Sequence, residues 1–265
     1  MNDLSAQASL PQPQGSGLFS RLRAATVHLC ISAAVAGLAA LLVFVLWYPT
    51  PFREISGGRE LFFIVIAVDV VLGPCITFAV FNRRKPWSEL RRDLTIVALL
   101  QLGGLAYGLH TVYLVRPVYL ALEVNRLRTV RVLDLQSANL NAAPPELQHM
   151  PLWGVTPVAA RAVRPEEKNE TLQLGLKGRD TGMRPEFWLP RDAAGPAYAQ
   201  AAKPLSELAR RFPRRGEEIR RAAQDAGRPV EQLGFLPILA RLTSWSALID
   251  LRSGDVVGYV NIDGF

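Results

Sequence analysis

The sequence predicts an α+β membrane protein: three N-terminal transmembrane helices, then a mixed α+β extracytoplasmic domain that closes on a β-hairpin. Three observations carry this. Apolar runs at residues 24–48, 61–81 and 94–115 contain one carboxylate between them, Asp69. Each is long enough for a hydrocarbon core that takes about 20 helical residues, and a helix satisfies its own backbone there. Basic residues gather in two of the segments that flank these runs. The remaining 150 residues break short apolar stretches with Pro, Gly and charged segments, as a folded polar domain does.

Orientation follows from the loops. Arg21 and Arg23 precede the first run, and Arg83, Arg84, Lys85, Arg91 and Arg92 fall within residues 82–93. Residues 49–60 instead balance Arg53 and Arg59 against Glu54 and Glu60. Lys and Arg in short loops stay cytoplasmic. Seven basic residues against two therefore put the N-terminus and the second loop inside. Three crossings then put residues 116–265 outside, which in a Gram-negative cell is the periplasm.

A cleaved signal peptide is the rival reading of the first run. Its apolar region would span about 7–15 residues and end at a small-residue cleavage site. Here the run is 25 residues long, continues through residues 41–45 and closes on Trp47, Tyr48 and Pro49. That ending is an aromatic interface anchor, so an uncleaved span is expected. Residues 1–20, rich in Gln, Ser, Pro and Gly at their start, read as a disordered cytoplasmic tail. Residues 21–115 form the transmembrane domain and 116–265 the periplasmic one.

The net charge of +7 raises nucleic acid as a partner, but its layout does not support one. Five basic residues sit in the second loop, where cytosolic retention accounts for them. The outer domain holds 21 Lys and Arg against 17 Asp and Glu, spread along its length. Its densest basic run, residues 210–215, is followed at once by Glu217 and Glu218, the pattern of a solvated helix edge. Cys30 and Cys75 lie in different spans and the outer domain has no cysteine. That domain therefore depends on its core, for which its size suffices.

Within the outer domain, residues 117–132 read as a long strand or a bent strand pair. Residues 139–165 are mostly connection, with a short strand near 154–163. Residues 165–177 open with Pro and two Glu and stop before Gly178, as a helix does, although Leu172, Leu174 and Leu176 alternate as in a strand. Amphipathic helices are expected at 197–211 and 216–226, and strands at 235–242, 246–252 and 256–262. The last two flank Ser253–Gly254–Asp255, a hairpin loop. Trp153, Trp188 and Trp245 are expected in the core.

Catalytic chemistry is not legible. His149 is the only histidine of the outer domain and has no Cys or paired acid at ligand spacing. Neither Gly-x-Ser-x-Gly nor a Gly-rich phosphate loop occurs. No catalytic residue, metal ligand or cofactor site is assigned, and no enzyme is expected.

The spans carry the informative chemistry. Asp69 falls near mid-bilayer depth, where a carboxylate is costly and marks a functional-site hypothesis. Gly73 and Thr77 follow on the same helix face, and Pro74 removes a backbone donor, freeing the carbonyl of Val70. Gln101, Gly104 and Gly108 form a stripe on the third span, and His28, Ser32, Ala36 and Ala40 another on the first. Small residues at this spacing let helices approach, and polar ones bond across. Two readings stand: a structural clip in which protonated Asp69 bonds Gln101, with His28 merely interfacial, or a polar face that receives another protein's transmembrane helix. A single intramembrane acid does not supply the pair an aspartyl protease needs.

Several strings recur together here: WYP at the end of the first span, VDVVLGP in the second, RRDL before LLQLGGLAYGLHTVYLVRPVYL, and WSALIDLRSGDVVGYVNID near the C-terminus. Over residues 18–265 the chain resembles the type IV pilin accessory proteins (the TfpX/TfpZ group). The resemblance implies a bacterial inner-membrane protein that assists pilin assembly or the balance of pilus extension and retraction. It supplies no catalytic residues. The motif positions are Asp69, Gly73, Pro74, Gln101, Tyr107, Arg116 and Pro117. It further implies partners in the major type IV pilin or the assembly machinery, besides the lipid bilayer. Type IV pilins carry an apolar N-terminal helix with an acidic residue near its start, which the Asp69, Gly73, Thr77, Gln101, Gly104 and Gly108 face would suit. The alternative class is an envelope ligand-binding sensor or enzyme, which gene neighbourhood would separate from an assembly factor.

Overall fold

The computed structural model describes residues 15–82, 85–240 and 244–265. In chain order the elements are α1 (Gly15–Leu41), a π-helical continuation at Leu42–Trp47, α2 (Phe52–Ile55), α3 (Gly58–Ala67), a π-helical turn at Val68–Leu72, α4 (Gly73–Val80) and α5 (Trp87–Leu114). Then come β1 (Pro117–Glu123), β2 (Arg126–Arg131), α6 (Val132–Leu135), β3 (Thr156–Ala159), α7 (Lys168–Leu176), α8 (Arg191–Ala201) and β4 (Lys203–Pro204). The chain ends with α9 (Leu205–Arg211), α10 (Gly216–Asp225), β5 (Leu233–Leu239), β6 (Trp245–Asp250) and β7 (Val256–Val260). It divides into two compact units, one of the residues up to Ala39 with Phe63–Leu109, the other of Ala40–Phe62 with His110–Phe265.

Gly17–Trp47, Gly58–Val80 and Trp87–Leu114 are each long and apolar enough to cross a membrane. All three begin before their apolar runs do, the first and third by seven residues. Ser88 and Glu89 follow Pro86 at the start of α5, a favourable N-terminal turn. Arg91 and Arg92, expected in a loop, therefore stand on a helix, while Arg83 and Arg84 lie outside the described residues. The expected disordered tail is corrected in part: residues 1–14 lie outside the described residues, but 15–20 are helical because α1 runs on past the apolar stretch. In the first unit Leu38, Ile64 and Leu100 point outward and are exposed, whereas Leu90, Val97 and Thr77 are buried. Apolar side chains on the outer surface are what helices in lipid require.

The second unit is built on one sheet in the order β3-β1-β2-β5-β6-β7, with β4 pairing β5. β1 and β2 form an antiparallel pair, the bent pair expected from residues 117–132. β1 runs parallel to β3 and β2 parallel to β5, and β5, β6 and β7 form an antiparallel meander. Every residue of β1 is buried, because both faces of the sheet are covered. Leu120 and Leu122 face one core, with Leu236, Ile238, Ala247 and Ile249, closed by Ala194 and Tyr198 of α8. Tyr119 and Ala121 face a second, with Leu147 and Trp188. A third joins Leu205, Leu208 and Ile219 to Phe235 and Leu248. Strands buried on both sides read as continuous apolar runs rather than alternating ones.

One partner of the first core was not expected. Phe52 and Ile55, in the loop between the first two spans, are buried in it, and Phe52 packs edge-on to Tyr259 at 5.5 Å between ring centroids. This loop and the C-terminal residues therefore fold as one unit.

Three further differences have physical reasons. The helix expected at 197–211 is two helices, α8 and α9, because Pro204 has no amide to donate and disfavours helical backbone at Lys203. α8 starts earlier, at Arg191, and the strand expected at 235–242 runs Leu233–Leu239, with 241–243 outside the described residues. Of the three tryptophans placed in the core, Trp188 is buried and Trp245 half-buried, but Trp153 is exposed. Main-chain bonds hold its loop, so the side chain is free to project.

The hairpin loop at Ser253–Gly254–Asp255 forms as expected, with Gly254 at φ 78°. A Cβ there would collide with the backbone of Gly195 in α8, so a glycine is needed for space as well as for dihedral.

Candidate intramembrane interaction site

Asp69 lies in the π-helical turn at Val68–Leu72 and is 8% exposed. Such a turn pairs each amide with the carbonyl five residues back. The amide matching the carbonyl of Asp69 would be that of Pro74, which has none. Gln101 on α5 fills the gap, its Nε2 donating to the Asp69 backbone oxygen at 3.1 Å. One expectation is thereby corrected. The carbonyl that the π-turn leaves to Gln101 is that of Asp69. Gln101 bonds that carbonyl rather than the Asp69 carboxyl.

The close approach of α5 depends on Gly73, where a Cβ would overlap the Gln101 amide. Thr77 is buried, and its Oγ1 lies 2.5 Å from Nδ1 of His28, so His28 is a bonded partner of the second span rather than a merely interfacial residue. Gly108 packs against Val65, which leaves no room for a Cβ. Gly104, with Gly103, is exposed and open, nothing lying within 4 Å of a Cβ built there. The six face residues thus do not form one open strip. Gly73, Thr77 and Gly108 are filled by the chain's own Gln101, His28 and Val65, since small residues admit the nearest helix first.

What stays open is a pocket of about 200 Å³ lined by His28, Ser32, Asp69, Gln101, Val35 and Leu105 among others. Among the described residues the Asp69 carboxyl has no ion-pair partner. The pocket is an apolar recess with one acid, one amide, one hydroxyl and one imidazole, suited to a neutral or hydrogen-bonding group. Glu123, a buried acid of the sheet, is fully engaged by contrast: it accepts from Arg128 at 3.0 Å, Arg126 at 3.3 Å and the Gly182 amide at 3.0 Å. His149 is exposed in its loop, its carbonyl accepting from Tyr119 Oη at 3.1 Å. Cys30 and Cys75 are free thiols.

Residues 147–154, part of the expected connection, are held at five points. Tyr119 Oη donates to the carbonyls of Leu147 and His149. Arg116, 1% exposed, donates to those of Pro151 at 2.8 Å and Leu152 at 3.1 Å. Gly154 donates its amide to Leu46 at 3.0 Å. The signal available in sequence was Leu152–Trp153, an apolar pair between Pro151 and Gly154.

These features define a membrane protein with a polar pocket among its long apolar helices and a separate α+β domain. The profile of the family described as Fimbrial assembly protein FimB matches residues 16–57. The chain is 31% identical to the "Fimbrial assembly protein, serogroup I" of Dichelobacter nodosus over 242 residues, 90% of this chain and 94% of that one. It is 30% identical to the serogroup E1 protein of the same organism over the same shares. The "Fimbrial assembly protein, serogroups C1 and C2" is 36% identical over 109 residues, 41% of this chain and 83% of that one. No solved structure matches. The chain belongs to the fimbrial assembly protein family, in keeping with the type IV pilin accessory strings.

Proposed function

We propose that this protein is a non-enzymatic accessory factor of type IV pilus biogenesis, which acts from the inner membrane on pilin assembly or on the balance of extension and retraction. Full-length similarity to fimbrial assembly proteins carries the reading. Its N-terminus is cytoplasmic and its α+β domain periplasmic, a reading that the basic loops support. The burial of Phe52 and Ile55 with the C-terminal strands supports a shared side for loop and domain.

The Asp69 pocket is the contact for a pilin's apolar N-terminal helix. An incoming helix meets Gly103 and Gly104 for close approach and the Asp69 carboxyl for a hydrogen bond. Asp69 serves there as a neutral or fully bonded group, since a bare charge at that depth is too costly. The partner is major pilin or the assembly machinery, held within the lipid bilayer.

Piliation of substituted strains tests this. Deletion should reduce surface pili and leave pilin leader cleavage intact. Asp69→Asn, which keeps hydrogen bonding, should support far more pili than Asp69→Leu, and a photo-crosslinker at Gly104 should capture pilin. Full piliation by an Asp69→Leu protein that accumulates normally would sink the pocket's role, and loss of leader cleavage would point to a maturation enzyme.

A further inference from the structure

The loop at residues 151–154 presents Leu152 at 74% and Trp153 at 66% exposure, a bulky apolar pair with no covering element among the described residues. The backbone beneath it is fastened at the ends of two spans. Arg116 follows the third span directly and grips the carbonyls of Pro151 and Leu152, its guanidinium lying 4.9 Å from the centre of the Tyr113 ring. Leu46, in the last turn of the first span, accepts from Gly154. Next to it Trp47 packs edge-on to Tyr113 at 5.3 Å, an aromatic pair of the kind that marks a membrane–water boundary.

We propose that Leu152 and Trp153 are a lipid-inserted tip, seated in the headgroup and upper acyl region of the leaflet beside the α+β domain. The occupant is lipid rather than protein because the loop is pinned at span ends, at the depth where the bilayer surface begins. Leu46 beside it is itself an outward-facing residue of a span, 41% exposed. Tryptophan prefers that depth, where the indole ring meets acyl chain and its N–H meets water. Gly154, at φ 70°, turns the chain back so that the two side chains protrude together. The buried Arg116 keeps the tip from folding down onto the domain, since its carbonyls are held from within.

The inference rests on reading the three helices as spans, which carbonate extraction checks separately. Full-length protein in proteoliposomes, wild type and Trp153→Phe, would be measured by tryptophan fluorescence, the difference isolating Trp153. The expected result is a blue-shifted Trp153 component that loses intensity with lipids brominated high on the acyl chain, less with lipids brominated deep, and little with aqueous iodide. Quenching by iodide and not by brominated lipid places the tip in water and overturns the proposal. Protection from both quenchers means that protein covers it and overturns the proposal equally. If carbonate strips the protein from membranes, the spanning reading fails and the tip falls with it.

Discussion

Gln101 donates its side-chain amide to the main-chain oxygen of Asp69, joining the third apolar helix to the second at the point where Pro74 leaves that oxygen without a backbone donor. The bond, the π-turn and the contact at Gly73 are one device. Proline creates an unpaired carbonyl, glycine lets the neighbouring helix come close, and glutamine supplies the proton. Asp69 keeps its carboxyl for the pocket because its carbonyl already satisfies Gln101.

Gln101→Leu should therefore destabilise the helix pair by about 1 kcal/mol, the scale of intramembrane hydrogen bonds. Gly73→Val should do more, since a branched side chain displaces Gln101 bodily. Thermal unfolding of detergent-solubilised protein would rank the three: wild type above Gln101→Leu above Gly73→Val. An unchanged midpoint for Gly73→Val would refute the close approach.

Phe52→Ala should cost about 3 kcal/mol, the range for a phenylalanine removed from a packed core. Phe52 is 3% exposed and closes the core of the C-terminal domain, although it precedes that domain by more than a whole span. Limited proteolysis of the domain in membranes should quicken, and a Tyr259→Ala partner variant should add less than its own separate effect because the rings touch.

Glu167 has its carboxyl pulled down to about 2, first by the paired Arg161 guanidinium and then by the Arg164 amide. The two oxygens lie 2.8 Å from the Arg161 nitrogens. A depressed carboxyl stabilises the fold above its ordinary value near 4.5, and that contribution fades as pH falls through about 2. Glu167→Gln should be less stable than wild type at neutral pH, and the gap should close as the medium is acidified through that window. A gap constant with pH would show that the pair is not the cause.

Reporter fusions inserted after Arg92 should read cytoplasmic, and those after Gly178 or at Phe265 periplasmic. An insertion in residues 53–54 should also read periplasmic while weakening the domain. A cytoplasmic signal at Phe265 would overturn the placement of everything after the third span.

The sequence made the spans and the β-meander legible because both are written in composition: unbroken apolar runs in one case, short apolar stretches around Ser253–Gly254–Asp255 in the other. The contact of Phe52 and Ile55 was not legible, since two apolar residues in a short loop carry no record of a partner some two hundred positions away. The break at Pro204 was available from proline's chemistry, yet Leu205, Leu208 and Phe212 kept a helical period that masked it. At the pocket, the residue types were visible but the pairing was not. Whether Gln101 meets the carboxyl or the carbonyl of Asp69 depends on a one-residue shift in helix winding that no periodicity records. Trp153 was misplaced because tryptophan is usually core, and only the loop's tethers, Arg116 above all, hold it out.

The shared core of Phe52 and Ile55 with the C-terminal strands makes folding and membrane insertion a single problem. A soluble fragment beginning at Arg116 would lack a wall of its own interior, and should collect as aggregate or bind its missing loop as a peptide. The loop is synthesised early and waits for β5, β6 and β7 while the two long apolar helices between them are made. The two can meet only if the second and third helices both cross or neither does, so the domain's maturation doubles as a check on that pair of crossings.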